Sequence, residues 1–249
     1  MSADSLGLLL KAFRLPTMAE IYERVMQEAE QQGWGYRKFL QHLCEAEAQD
    51  RAGRKLERLL KQAGLPGGKT LGSLEEGKLP AKVRRVLPSL LDGGFVTRAE
   101  NVIALGLPGR GKSHFLAALG RELILRHQYS VLFTPTYKLV QQLLAAKRDL
   151  RLEAMLRQLD HFDAIILDDL GYVQQAREEM EVLFTFLAER YERRSVLLSS
   201  NLVFSKWDQI FKDAMTTMAA IDRLVHHAII LEFNGESMRV PPGKEKGSG

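Results

Sequence analysis

The chain has 249 residues, of which 45% are hydrophobic and 27% are charged, and its formal net charge is +4. This balance fits one globular α/β unit with a smaller appended part, and it permits nucleic-acid binding without requiring it. Cys44 is the single cysteine, which excludes an intramolecular disulfide, and the apolar stretch 6–10 is too short for a signal peptide or a membrane span. We therefore expect a cytoplasmic protein with no membrane partner.

The first part of the chain has a helical pattern. Apolar residues recur at spacings of three and four from residue 8 to about residue 64. The turn residues Pro66, Gly67 and Gly68 then open a stretch with little periodicity. We predict an N-terminal helical domain at 1–65 that binds DNA or a partner, followed by a linker and connecting helix at 66–97.

Strands and helices alternate after residue 95. Apolar strands are predicted at 102–105, 130–134, 164–167, 195–199 and 228–233, and amphipathic helices such as 112–127 and 178–193 separate them. This order predicts an α/β fold with a five-stranded parallel sheet in a core at 98–240. The tail 241–249 is expected to be disordered, and we expect no C-terminal lid domain.

A glycine-rich loop follows the first predicted strand. It reads G-L-P-G-R-G-K-S, which matches G-x-x-x-x-G-K-[ST] at every fixed position. In such loops the backbone N–H groups face the phosphates, the lysine reaches the outer two and the hydroxyl ligates Mg²⁺. We therefore predict a nucleotide and Mg²⁺ as ligands, with Lys112 on the phosphates and Ser113 on the metal. The predicted nucleotide-binding residues are Gly106, Leu107, Pro108, Gly109, Arg110, Gly111, Lys112, Ser113 and His114.

Polar side chains end two of the later strands. Asp168 and Asp169 follow the strand at 164–167, where the first would ligate Mg²⁺ and the second would orient an attacking water. Asp169 is one methylene shorter than the glutamate usual in vigorous ATPases, so we expect slow hydrolysis that DNA or a partner stimulates. Ser200 and Asn201 follow the strand at 195–199 and are candidates for sensing the γ-phosphate. The alternatives are a strand ending in solvated acids and an ordinary helix cap.

These motifs carry a family resemblance. Together with R-Y-E-R-R-S, I-D-R-L-V-H-H-A and N-G-E-S-M-R, they occur in the order and spacing of the IstB family, which the chain resembles nearly end to end. IstB proteins are AAA+ ATPases of insertion sequences, related to the DnaC helicase loaders. The resemblance implies an AAA+ P-loop core in which Lys112 and Ser113 belong to Walker A, Asp168 and Asp169 to Walker B, and Asn201 is sensor 1.

Further arginines are assigned by the same resemblance. Arg223 matches the arginine finger, which acts on the γ-phosphate of a neighbouring subunit, and Arg239 resembles the sensor 2 position. Arg193 and Arg194 are alternative trans-acting arginines. Without the family resemblance, Arg223 would be interpreted as a surface residue with no catalytic role.

Two basic clusters are candidates for DNA contacts. One lies at helical spacing on a single helix face, and the other follows the predicted helix at 138–146. Neither is interleaved with aromatic residues, so we expect contacts to the DNA backbone with little sequence preference, and a solvated basic face is the alternative. The predicted DNA-binding residues are Arg51, Arg54, Lys55 and Arg58 in the first cluster, and Lys147, Arg148 and Arg151 in the second, with Arg177 nearby.

The expected function follows from the resemblance. It implies an ATPase that binds double-stranded DNA, assembles on it as an ATP-dependent homo-oligomer and recruits or activates a cognate transposase. A DnaC-like helicase loader and a DNA-binding scaffold with minimal ATP turnover are the alternatives. A small-molecule kinase would share the phosphate-binding loop, but the sequence has no visible acceptor-binding segment.

Overall fold

The computed structural model describes residues 3–170, 177–202, 207 and 224–234. The chain divides into two compact units, Met1–Arg58 and Leu59–Gly249. Within the described ranges, no helix is both long enough and apolar enough to cross a membrane.

The N-terminal unit is helical, as its sequence pattern predicts. It contains α1 (Ala3–Ala12), α2 (Pro16–Gln32) and most of α3 (Tyr36–Gln62). A small apolar core forms around the buried residues Met18, Val25 and Leu43. Burial of these side chains stabilises helices that would be marginal in isolation.

The start of α2 is capped by a residue distant in the chain. Leu15 at the N-cap has no side-chain cap bond, and Pro16 is the first helical residue. The buried carboxylate of Glu47 on α3 instead accepts hydrogen bonds from the backbone N–H groups of Thr17 and Met18, at 2.8 and 3.2 Å. Such bonds satisfy donors that a helix N-terminus otherwise leaves free, and here they join α2 to α3.

The second unit is built on a parallel sheet of five strands in the order β2-β3-β4-β1-β5. The strands are β1 (Asn101–Leu105), β2 (Val131–Pro135), β3 (Ala164–Leu170), β4 (Ser195–Ser200) and β5 (Ala228–Glu232). The described helices of this unit are α4 (Ala81–Leu91), α5 (Gly94–Thr97), α6 (Lys112–His127), α7 (Thr136–Arg148), α8 (Leu152–Asp160) and α9 (Arg177–Arg190). The predicted five-stranded parallel sheet is thus confirmed.

The strands are apolar because they lie in the interior of this unit. Every residue of β1 and of β4 is buried, as expected for a parallel sheet covered by helices. β1 lies between β4 and β5, so the connections reverse direction around it. In open α/β sheets ligands bind at the carboxyl ends of the strands near such a reversal, which points to the ends of β1, β3 and β4.

The third strand extends furthest beyond the end that its sequence pattern predicts. The pattern ends it at residue 167, before the two acids, whereas β3 continues to Leu170. Its pairing with β4 shifts register between Leu167 and Leu170, and Asp169 has a left-handed φ of 67°. An irregularity of this kind redirects side chains at the end of a strand, where pattern alone gives no signal.

Candidate nucleotide site

The loop between β1 and α6 has the backbone that phosphate binding requires. Gly106, Gly109 and Gly111 all have positive φ, at 151°, 80° and 86°. A Cβ on Gly106 would lie 2.5 Å from the carbonyl oxygen of Phe233, so a side chain has no room there. The loop leads directly into the first turn of α6, whose free N–H groups favour an anion.

Lys112 is held at the centre of the site. Its side chain is buried, and Nζ donates hydrogen bonds to the carbonyl oxygens of Gly106 and Leu107, at 2.5 and 3.0 Å. Nζ also donates a 2.7 Å bond to Oδ1 of Asn201. The lysine therefore touches both the loop and the end of β4.

Ser199 positions the two acids at the end of β3. Its Oγ donates to Oδ1 of Asp168 at 2.6 Å and accepts the backbone N–H of Asp169 at 2.8 Å. Thr136, the first residue of α7, donates its hydroxyl to the carbonyl oxygen of Asp168 at 3.0 Å. Neither Ser199 nor Thr136 is among the site residues predicted from the sequence, although a hydroxyl near the end of a central strand is a usable signal.

Asn201 connects the loop to the acids. Its Nδ2 donates a 2.8 Å hydrogen bond to Oδ1 of Asp169, while its Oδ1 accepts the bond from Lys112. Because β4 lies between β1 and β3, the residue after β4 can reach both neighbours. The structure thus brings Lys112, Asn201 and Asp169 together, because the strand that precedes Asn201 lies between the other two strands.

These residues line one cavity of about 510 Å³. Its donor set suits a nucleotide with Mg²⁺, since loop N–H groups and cations match phosphate, and a hydroxyl and a carboxylate match the metal. Nη1 of Arg110 is buried without a hydrogen-bond partner, as expected of a donor that awaits an anion. The lining residues are Lys69, Pro108, Gly109, Arg110, Gly111, Lys112, Ser113, His114, Asp168, Asp169 and Asn201.

The other predicted site residues have different positions. Arg223 and Arg239 lie outside the described residues. Arg193 pairs with Asp160 at 2.8 Å, and Arg194 pairs with Asp163 at 2.6 Å. Both arginines directly precede β4, at the opposite end of that strand from Asn201. Each therefore has an intramolecular partner at the sheet edge away from the cavity.

The basic cluster on α3 divides into two kinds of residue. Arg51 and Arg54 pair with the buried Glu47, at 3.3 and 3.2 Å, although their side chains remain about half exposed. Lys55 and Arg58 form no ion pair with the acids of the described residues. All four line a cavity of about 780 Å³ in the N-terminal unit, together with Lys11, Phe13, Arg14 and Pro16.

The second cluster lies at the end of α7 and the start of α8. Lys147 pairs with Glu181 of α9 at 3.0 Å. Arg148 and Arg151 are exposed, as is Arg177, which lies four residues before Glu181. No acid in the described ranges pairs with these three arginines, so their charge is available at the surface.

The sheet order, the phosphate-binding loop and the residues at the ends of β3 and β4 define an AAA+ P-loop protein. Solved structures share this fold. The DnaI structure matches with a TM-score of 0.57 at 19% identity, covering 69% of this chain and 96% of that one. The DnaC helicase loader matches with a TM-score of 0.50 at 16% identity, covering 62% of this chain and 92% of the loader.

Sequence comparison gives the family. The model of the IstB-like ATP binding proteins matches residues 8–246, so the chain belongs to that family, and the predicted resemblance is confirmed. A Pseudomonas aeruginosa protein named for insertion sequence IS21 and for expected ATP binding is 37% identical, over 97% of this chain and 91% of its own length. A similarly named protein of insertion sequence IS5376 from Geobacillus stearothermophilus is 35% identical, over 91% of this chain and 90% of its own length.

Proposed function

We propose that the chain is a Mg²⁺-dependent ATPase that assembles on double-stranded DNA when ATP is bound and then recruits or activates a transposase. The observation that carries the ATPase part is the hydrogen-bonded series Lys112, Asn201 and Asp169, with Asp168 fixed beside it by Ser199. A nucleotide-binding loop alone does not need this connection between two strand ends. Hydrolysis does, because the attacking water and the phosphates must be held together.

The proposed roles follow from the chemistry of each group. Ser113 and Asp168 would hold Mg²⁺, which supplies charge neutralisation on the phosphates. Lys112 binds the phosphates, and Asp169 and Asn201 orient the attacking water. Asp169 is already hydrogen-bonded to Asn201 and has a short side chain, so its reach is restricted. Slow turnover that DNA or a partner stimulates therefore remains our prediction.

A scaffold with little ATP turnover is the second candidate, and the same two features of Asp169 favour it. The two functions differ in what ATP does after assembly. An ATPase releases phosphate and then disassembles, whereas a scaffold stays assembled for as long as ATP is present. Following phosphate release and assembly in one sample separates them.

The DNA part of the proposal is supported by surface charge. Lys55 and Arg58 on α3 have no ion pair within the described residues, so they can neutralise DNA phosphates and release the counterions condensed on the DNA. Arg148, Arg151 and Arg177 have the same property in the second unit. Arg51, Arg54 and Lys147 are each paired, so we expect them to contribute less to binding.

The DNA contacts are tested by charge removal. The double variant Lys55→Ala/Arg58→Ala is compared with Lys82→Ala/Arg85→Ala, which removes equal charge from exposed positions on α4. Affinity for a duplex is measured by fluorescence anisotropy over a range of salt concentrations. We expect the α3 variant to lower the slope of log K against log salt by about 0.9 for each phosphate that the protein no longer neutralises. An equal loss of affinity in both variants would assign the effect to net charge.

Assembly is tested by sedimentation of the protein with duplex DNA, with and without ATP, at two salt concentrations. We expect large complexes only when both DNA and ATP are present. Failure to assemble under every condition would exclude a trans-acting arginine. If a transposase encoded beside this protein binds the complex, the insertion-sequence role is supported. If a replicative helicase binds it instead, the loader alternative is supported.

A further inference from the structure

One lysine of the cavity comes from outside the motifs. Lys69 lies between α3 and α4, in a stretch where the sequence shows little periodicity, yet its side chain lines the cavity together with the phosphate-binding loop. It is half-buried, and it forms no ion pair with any acid among the described residues. A partly buried cation without a counterion, facing a phosphate-binding loop, calls for an anionic ligand.

The chain before Lys69 is fixed to the sheet. The carbonyl oxygen of Ala63 accepts a 2.7 Å hydrogen bond from the N–H of Phe133 in β2. Gly64 has a positive φ of 62°, and a Cβ there would lie 3.2 Å from the carbonyl oxygen of Phe133. This close approach places the start of the segment against β2.

The chain after Lys69 is fixed to the first turn of α6, which follows the phosphate-binding loop. Nε2 of His114 lies 3.2 Å from the carbonyl oxygen of Thr70 and 3.0 Å from Oγ of Ser73. Because a carbonyl oxygen can only accept, Nε2 carries the proton in that bond. Ser73 also bonds within the segment, donating to the carbonyl oxygen of Gly68 at 2.6 Å and accepting from the N–H of Thr70 at 3.0 Å. His114 follows Ser113, so the segment is tied to the first turn of α6.

These anchors hold Lys69 at the cavity from both sides. Arg110, which lines the same cavity with a buried and unpartnered Nη1, independently indicates that the space receives an anion. Lys112 brings one positive charge to this cavity, and Lys69 would bring a second one to the same phosphates.

We propose that Lys69 is a second phosphate-binding lysine, contributed by the segment before β1, and that Ser73 and His114 position it. The proposal rests on the proposed ATP site and adds to it a residue that none of the nucleotide-binding motifs contains. The ligand group is the polyphosphate chain of the nucleotide, since the lysine shares its cavity with the loop that holds phosphates.

The test is a competition experiment with full-length protein and a fluorescent ATP analogue. ATP, tripolyphosphate and adenosine are the competitors. We expect Lys69→Met to lower the affinity for ATP and for tripolyphosphate by about tenfold, because one charge-assisted hydrogen bond is lost. The affinity for adenosine should not change. Lys69→Arg should retain most of the affinity. Lys82→Met removes an exposed lysine on α4 and should have no effect.

Two further variants separate the possible outcomes. If Lys112→Ala abolishes ATP binding while Lys69→Met binds ATP and tripolyphosphate like the unmodified protein, the role of Lys69 is wrong and the ATP site stands. If neither variant changes ATP binding, the proposed ATP site itself is wrong. Ser73→Ala alone should lower the affinity for ATP. In the double variant with Lys69→Met it should cause no further loss, because Ser73 acts by positioning the Lys69 side chain. Additive losses would contradict the positioning role.

Discussion

Nζ of Lys112 donates a 2.7 Å hydrogen bond to Oδ1 of Asn201, although 89 positions separate the two residues in the chain. The contact exists because β4 lies beside β1 in the sheet, so the residue that follows β4 meets the loop that follows β1. Asn201 passes the connection on to Asp169 at 2.8 Å. Changes to this amide should therefore affect the acid and the lysine together.

The first prediction concerns Asn201. Asn201→Ala removes both bonds, and we expect kcat for ATP hydrolysis to fall by about 100-fold, since the orientation of the attacking water is lost. The affinity for ATP should change far less, because the loop remains intact. Steady-state phosphate release at saturating ATP measures kcat, and equilibrium binding of a fluorescent analogue measures affinity. If only the affinity for ATP falls and kcat does not, Asn201 acts in ATP binding alone.

The second prediction concerns Ser199, which touches both acids without being one of the predicted site residues. Ser199→Ala should reduce ATP turnover by about 10- to 100-fold, as is usual when a group that orients a metal ligand is removed. Ser130→Ala is the matched control, because Oγ of Ser130 also bonds a carboxylate, that of Asp163 at 2.8 Å, next to the start of β2. Equal losses of turnover in the two variants would point to a general loss of stability.

Some features of this site can be predicted from the sequence pattern, and others depend on how the strands and segments pack. Strand positions, strand type and the phosphate-binding loop follow from apolar runs and fixed glycines, so these features were predictable. The bend at Asp169 and the reach of Ser199 depend on a register shift between β3 and β4, which has no signal in either strand alone. Lys69 could not be predicted because the packing of a non-periodic segment against α6 and β2 places it at the cavity.

The third prediction concerns pH and Glu47. Burial raises the pKa of this carboxyl, but hydrogen bonds from Met18, Thr17 and Arg51 lower it by more, so its pKa lies below the ordinary value of 4.5. A carboxyl whose pKa is lowered by folding stabilises the fold above its ordinary pKa. That contribution is lost as the pH falls through the lower, folded-state value.

Glu47→Gln should therefore destabilise the start of α2 at neutral pH, by about 1–3 kcal/mol for a buried group that loses its charged partner. The difference in α2 stability from the unmodified protein should shrink as the pH falls from 4.5 through the lower, folded-state pKa of Glu47, below which both proteins carry a neutral side chain. Hydrogen exchange of the α2 amides measures this directly. Glu57→Gln, which removes an exposed acid from α3, the helix that also carries Glu47, should have little effect on the exchange of the α2 amides. A pH-independent difference between Glu47→Gln and the unmodified protein would contradict the assignment of the charge.

We propose that ATP is hydrolysed in the cavity between the loop and the ends of β3 and β4. The most direct measurement is Mg²⁺-dependent phosphate release in the presence of duplex DNA, for the unmodified protein, Asp168→Ala and Asp92→Ala. Asp92 is an exposed acid at the end of α4, so its variant controls for the loss of a charge. We expect Asp168→Ala to abolish phosphate release and Asp92→Ala to retain it. Unchanged turnover in Asp168→Ala would contradict the site.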